Sequence, residues 1–156
     1  MKHFHFVSMI VLRPTANGHQ VLMGKRTPGE YLGDTWQLIT GAIEPGETAW
    51  QAVLREVREE TCLEVQQLWR LPRLTQFYAP AMEALCFAPM FAAMVAEDAV
   101  EVCNPEHTEL AWLSFADAHA RMMWPTDRAA LAEVQELILN KSPAEEHLRI
   151  PLPRDR

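Results

Sequence analysis

Cysteine is scarce in these 156 residues, and the three present, Cys62, Cys86 and Cys103, are odd in number and widely spaced. An odd set excludes a complete disulfide framework, and the lack of any Cys-x-x-Cys pair removes the usual zinc site. Reduced thiols in a cytoplasm are the simpler reading. Cationic charge is also short: 14 Lys+Arg face 21 Asp+Glu, for a formal charge of −7. That deficit excludes a duplex nucleic-acid binder and a basic membrane-surface protein, which both need cations to meet phosphates. Long apolar runs are missing too. The longest uncharged stretch, Ala84 to Ala96, is broken by Pro89 and falls short of the roughly 20 residues that span a bilayer. The apolar start, Phe4 to Leu12, is interrupted by His5 and Ser8 and closed by Arg13-Pro14, with no small-x-small site behind it. It reads as a strand rather than a leader. There is no internal repeat and no low-complexity segment.

What is present suits one globular domain: 49% hydrophobic and 22% charged residues in a 17.8 kDa chain. We place that domain at residues 1–141. A Pro-rich tail, 142–156, is expected to lie extended over the surface or a partner. Both parities of Phe4 to Leu12 are apolar, as in a mostly buried strand, and Ala16-Asn17-Gly18-His19 turns it into a second, Gln20 to Gly24. Residues 27–35 form an exposed loop, Trp36 to Thr40 a short strand, and Glu47 to Thr61 a helix. Strands are expected near 65–78, 84–96 and 110–115, with helices at 115–123 and 127–140. The last has Thr126 as its cap and Leu131, Val134, Leu137 and Ile138 at core spacing. Strands on both sides of a helix, with helices again at the end, predict an α+β fold in which helices sandwich a mixed sheet.

The surplus acid has a focus on the 47–61 helix. At 100° per residue, Glu56, Glu59 and Glu60 project within an arc of about 100°, while Trp50, Val53, Leu54 and Val57 occupy the adjoining face. Glu56 and Glu60 repel at i, i+4, and Glu59 and Glu60 meet the negative end of the helix dipole. Arg55 and Arg58 offset part of this. A hard divalent cation with oxygen ligands, Mg²⁺ before others, would offset the rest; a solvated acidic face is the alternative.

The string before and through this helix, GAIEPGETAWQAVLREVREETCL, fits G-x5-E-x7-R-E-U-x-E-E-x-G-U (U apolar) at every position but one. Matching Gly41, Glu47, Arg55, Glu56, Glu59 and Glu60 by chance, at about 6% per residue, is on the order of 10⁻⁷ to 10⁻⁸ per start position. The stretch resembles the Nudix box of hydrolases acting on nucleoside diphosphates linked to another group. The departure is Cys62 in place of glycine. Either a cysteine takes the left-handed conformation there at a cost of about 1 kcal/mol, or the helix ends differently.

The resemblance implies a Nudix-type α/β/α sandwich whose loop–helix–loop binds divalent metal and a pyrophosphate. It implies Glu56, Glu59 and Glu60 as metal ligands with the carbonyl of Gly41, and an Arg55–Glu47 ion pair orienting the helix. Glu56 is the candidate base. The metal would be Mg²⁺, with Mn²⁺ as a substitute. Glu106, in NPEHTELAWLSF, is the candidate for an extra ligand or base. That segment, WQLITGAIEPGET and MMWPTDRAALAEV are similar to a bacterial branch hydrolysing dihydroneopterin triphosphate and dATP.

From the residues themselves, Lys25 and Arg26 at a strand end are candidates for phosphate or base contacts, or simply solvated charges. Trp36 and Tyr31 are candidate stacking surfaces for a purine or pterin ring, with a place in the core as the alternative for Trp36. Phe77 is read chiefly as core. The expectation is a Mg²⁺-dependent pyrophosphohydrolase acting on a small nucleotide or pterin triphosphate. No duplex nucleic acid and no membrane is expected as a partner, and a homodimer is left open. The competing expectations are a Nudix pyrophosphatase for a dinucleotide, nucleotide sugar or oxidised nucleotide, and a non-catalytic nucleotide sensor.

Overall fold

The computed structural model describes residues 1–99 and 107–155. Strand β1 (Lys2–Thr15) turns at Gly18 into β2 (Gly18–Arg26), antiparallel to it. After the 27–35 loop, β3 (Trp36–Gln37) and β4 (Ile39–Ala42) lead into helix α1 (Ala49–Thr61). Strands β5 (Gln67–Ala79) and β6 (Ala84–Met94) form an antiparallel hairpin across the turn Pro80–Met82. Strand β7 (His107–Leu113) and helices α2 (Phe115–Arg121) and α3 (Pro125–Glu133) follow. A π-helical turn, Val134–Leu139, continues α3, α4 (Glu145–Leu148) and β8 (Arg149–Ile150) follow, and a 3₁₀ turn at Pro153–Asp155 closes the described chain.

The sheet is mixed because β1 runs parallel to β6 and antiparallel to its other partners. Its main path is β3-β2-β1-β6-β5-β8, with β4 pairing β1 and β7 pairing β2. Residues 7–12 of β1 are buried on both faces, as the apolar residues of both parities require. Val7, Met9 and Val11 face α1 with Val53 and Val57. Ile10 and Leu12 face Leu131, Val134 and Ile138 on the opposite side. Helices therefore cover both faces of one sheet. No helix among the described residues is long and apolar enough to cross a membrane.

Four local expectations change. The strand expected at 36–40 divides, because Trp36 and Gln37 pair with β2 while Ile39–Ala42 pairs with β1. Helix α3 begins at Pro125 with Trp124 as cap, not at Thr126; proline supplies the preset φ that suits the first helical position. Phe77 is 44% exposed rather than core, because the β5–β6 hairpin extends past the covering helices. The segment from Ser142 is folded against the body rather than merely laid over it. Its α4 and β8 follow one another, β8 pairs Leu68 and Trp69, and Leu148 and Leu152 are buried in the two cores. Apolar residues at 148, 150 and 152 outweigh Pro151 between them and the prolines on either side.

Leu152 is 2% exposed, so Leu152→Ala should lower unfolding stability by about 2–5 kcal/mol in urea titrations. A loss below about 1 kcal/mol would place this segment outside the cooperative core.

Candidate active site

The turn before α1 and the helix itself are built to hold each other. Thr48 caps the helix through its hydroxyl, which accepts from Gln51 N–H at 3.3 Å, and Gln51 Oε1 accepts from Thr48 N–H at 2.9 Å. Glu47 Oε2 accepts from Glu44 N–H at 2.9 Å, closing the Pro45-Gly46 turn. Nearly two turns into the helix, Arg55 reaches back. Its Nε and Nη2 donate to the two oxygens of Glu47 at 2.8 and 3.0 Å, and Nη2 also donates to the Ala42 carbonyl at 2.8 Å. Nη1 donates to Glu56 Oε1 at 2.7 Å and Glu59 Oε2 at 3.2 Å. The fork of donors matches this fan of acceptors, which a point-charge ammonium would not.

Charge follows geometry. The hydrogen-bonded Arg55 guanidinium holds the Glu47 carboxyl below its usual range, against a smaller opposing effect of burial. The same pair, with Glu56, holds Arg55 still more firmly protonated. Glu56 goes the other way: burial pushes its carboxyl up, more than the neighbouring Arg55 pulls it down. Glu60 hydrogen-bonds Glu56 and is only 5% exposed, since its helical angle borders the apolar arc. Glu59 is over half exposed.

Gly41 sits on β4, fixed by pairing with Val7 of β1. A Cβ at this position would overlap the Glu56 side chain, so only glycine lets the β4 backbone lie against that carboxylate. The donors gathered here, the Glu56, Glu59 and Glu60 carboxylates and the Gly41 carbonyl, are hard oxygens of the type that suits Mg²⁺. Two of the carboxylates are shielded and in contact, an arrangement that positive charge relieves. In this conformation Arg55 supplies that charge. Among the described residues, no three acidic, histidine or cysteine side chains stand together as a ready cation site.

The other candidates form a second group. Lys25 pairs across the sheet with Trp36 and Glu109, and its ammonium is 4.0 Å from the Glu109 carboxylate. Arg26 clamps the 27–35 loop through its backbone, and its buried Nε has no hydrogen-bond partner among the described residues. Trp36 has one face under the Arg121 guanidinium, 4.6 Å from the ring centre. Tyr31 stands largely exposed on the loop. Glu106 lies outside the described residues.

Sequence reasoning missed the polar link beside this group. Trp124 Nε1 donates to Gln37 Oε1 at 3.2 Å, and Gln37 Nε2 donates to Thr35 Oγ1 at 2.8 Å and to the Met123 sulfur at 3.2 Å. Asp127, one turn along α3, is 9% exposed, and burial raises its carboxyl to about 6 against a pull from Arg128. Buried polar side chains far apart in sequence leave no local pattern to find.

With the geometry in place, comparison with known proteins gives a direct answer. The family model for the NUDIX domain matches residues 4–134. The chain belongs to the Nudix family. The dihydroneopterin triphosphate diphosphatase of Escherichia coli K12 is 42% identical over 59 residues, 38% of this chain and 37% of that protein. The match thus spans little more than a third of that curated relative. Among solved structures, the E. coli dihydroneopterin triphosphate pyrophosphohydrolase superposes with a TM-score of 0.66 at 27% identity, covering 86% of this chain and 95% of that one. A C. elegans Ap4A hydrolase gives 0.74 at 18% identity, covering 88% and 98%, which is a likeness of fold.

The non-glycine residue of this Nudix chain's box sits where the family pattern asks for glycine. Cys62 has φ 61° and ψ 15°, and its N–H caps the helix by donating to the Arg58 carbonyl at 2.8 Å. Cys62→Gly should raise stability by about 1 kcal/mol in thermal or urea unfolding; an unchanged or lowered midpoint would show that the left-handed backbone carries no strain.

Asp127 gives a pH test. Its folded value of about 6 exceeds the ordinary 3.8, so the folded state binds the proton more tightly. Stability therefore falls as pH rises from about 4 to about 6, by about 3 kcal/mol in all. Asp127→Asn should leave the urea midpoint unchanged near pH 4 and raise it at neutral pH. Equal shifts at both pH values would exclude this burial cost.

Proposed function

We propose that this Nudix chain is a pyrophosphohydrolase that cleaves a nucleoside triphosphate-like substrate to a monophosphate and pyrophosphate by attack of water on phosphorus. The substrate class is dATP or another nucleoside triphosphate, or dihydroneopterin triphosphate. The observation that carries the reading is the close approach of Gly41 to Glu56 within an intact set of box carboxylates. A chain that only sensed nucleotides would have no need to keep all of them. The partial likeness to the E. coli dihydroneopterin triphosphate diphosphatase supports the substrate class.

Glu56, Glu59, Glu60 and the Gly41 carbonyl would hold Mg²⁺, with Mn²⁺ as a substitute. When bound, that ion neutralises phosphate oxygens and makes a water molecule more acidic. The chain's own residues do the rest. Arg55 fixes the Glu56 carboxylate against β4 and keeps the turn closed through Glu47. Glu56, whose carboxyl is pushed up by burial, is suited to take a proton from water; a base poised nearer neutrality transfers protons better than an exposed glutamate. Glu106 is proposed as an additional ligand or base. Lys25 and Arg26 would meet the terminal phosphates or the base, and Tyr31 and Trp36 would border the ring. The free thiols of Cys62 and Cys86 fit a reducing cytoplasm.

The test is release of pyrophosphate from a panel of nucleotides and dihydroneopterin triphosphate with Mg²⁺. Pyrophosphate plus a monophosphate is the expected product pair. Glu59→Gln and Glu60→Gln should each lower kcat by about 10²-fold or more, the scale of losing a stabilising group in the transition state. Wild-type rates in both variants would end the metal-site reading. Two monophosphate products would instead identify a diphosphate-linked substrate.

A further inference from the structure

The last described residues return to the box helix. After β8, Leu152 is buried in the core beneath α1, in one cluster with Val53, Val57, Leu63 and Val65. Pro153 follows on the outer flank of α1, where it lines a cleft of about 410 Å³ with Trp50, Leu54, Arg58 and Glu59. Arg154 comes next. Its Nη2 donates to the carbonyls of Val65 and Gln66 at 2.7 and 2.5 Å, across 89 and 88 positions of sequence.

Those two carbonyls end the link, residues 62–66, that carries the chain from α1 into β5. The link is neither helix nor strand, and it starts from the left-handed Cys62. Within it, Leu63 N–H donates to Thr61 Oγ1 at 3.1 Å, and Gln66 N–H to the Met94 carbonyl at 2.7 Å. Arg154 adds a charged donor, whose hydrogen bonds are stronger than those between neutral groups.

The two ends of α1 are held differently. On the side of β4 and the turn, Arg55 and the backbone of Gly41 fix Glu56. Glu59 and Glu60 lie in the last turn, which runs directly into the link. The Arg58–Glu64 pair there is exposed on both sides, so water competes for it. Inside the molecule this end rests on Val57 and Leu63 in the core and, through the link, on Arg154. A small displacement of the link moves Glu59 and Glu60 relative to Glu56. Mg²⁺, which demands near-ideal ligand geometry, is sensitive to such a displacement.

We propose that Arg154 is a positioning residue for the Glu59–Glu60 end of the box helix, holding the 62–66 link so that these carboxylates share a divalent cation with Glu56. The inference rests on the proposed cation site and adds to it a residue from the far end of the chain. Arg154 is exposed whereas Leu152 is buried, so the two hydrogen bonds can be removed while the core beneath α1 stays filled.

Calorimetric titration of Mg²⁺ into the full chain, without nucleotide, reads the effect on the free protein. Arg154→Ala should weaken Mg²⁺ binding by about three- to tenfold, the scale of one lost hydrogen bond, with the urea midpoint of the parent. Arg154→Lys, whose ammonium still has donors for both carbonyls, should keep most of the affinity. Amide exchange should quicken at residues 59–66 in the alanine variant and match the parent elsewhere. Glu60→Gln in the same titration separates this inference from the reading beneath it. Parent-like affinity in Glu60→Gln would overturn both. Weakened binding in Glu60→Gln beside parent-like binding in Arg154→Ala would overturn the positioning role alone. Exchange that quickens equally across the whole sheet would also overturn it, because Arg154 would then act on overall stability.

Discussion

One guanidinium holds the candidate site in shape. Arg55 donates to Glu47, Glu56, Glu59 and the Ala42 carbonyl, so a single side chain joins the end of β4, the Pro45-Gly46 turn and two positions of α1. Without it, the shielded carboxylates of Glu47 and Glu56 would lose their counter-charge. Breaking such a set from one side costs about 3–5 kcal/mol, because the remaining charges are left without compensation. By contrast the pair between Arg58 of the same helix and Glu64 just beyond its end is exposed on both sides and belongs to the class worth little. The two arginines sit three residues apart, and burial alone separates their tasks.

The constraint at Gly41 works with Arg55 from the opposite side. Pairing of β4 with β1 sets the height of residue 41, and packing of Val53 and Val57 on Val7 and Met9 sets the height of α1. Glu56 is caught between those two fixed elements, which is why its carboxylate is both shielded and precisely neighboured by backbone. The sheet core is in this sense part of the site. A register slip of one residue in β4 would exchange the faces of Gly41 and Thr40 and put a β-branched side chain against Glu56.

Much of this was legible in the chain. The box residues specify a helix, its acidic arc and the left-handed residue after it, because each depends on neighbours within a few turns. Cys62 adopts the conformation its position demanded, at φ 61°. The mixed sheet between helices also followed from the order of apolar runs. What stayed hidden depends on distant partners. The split at Leu38 arises because consecutive residues serve two different strands. The burial of Leu148 and Leu152 needs the surface they cover, and prolines nearby suggested an exposed tail. Gln37 and Trp124 meet across 87 positions, and nothing local marks either. Arg55 was legible as a partner of Glu47, whereas its additional bonds to Glu56, Glu59 and Ala42 emerge only when helix and turn are placed together.

The charge inventory bears on how an acidic chain can handle phosphate. Arg55 is committed to carboxylates and a carbonyl, and Arg58 to Glu64, so the cations on the box helix are spent within the protein. On the proposed reading, positive charge for the substrate must come from a bound cation and from the β2 end. There Lys25 is only loosely held by Glu109 at 4.0 Å, and Arg26 keeps a buried Nε that no described residue satisfies. A donor left unmet in a folded protein is costly unless something else meets it. Phosphate oxygens are well matched to that guanidinium. On that reading the two tasks are separate in space: carboxylates gather where a cation is to be held, and Lys25 and Arg26 stand at a strand end where an anion could be received.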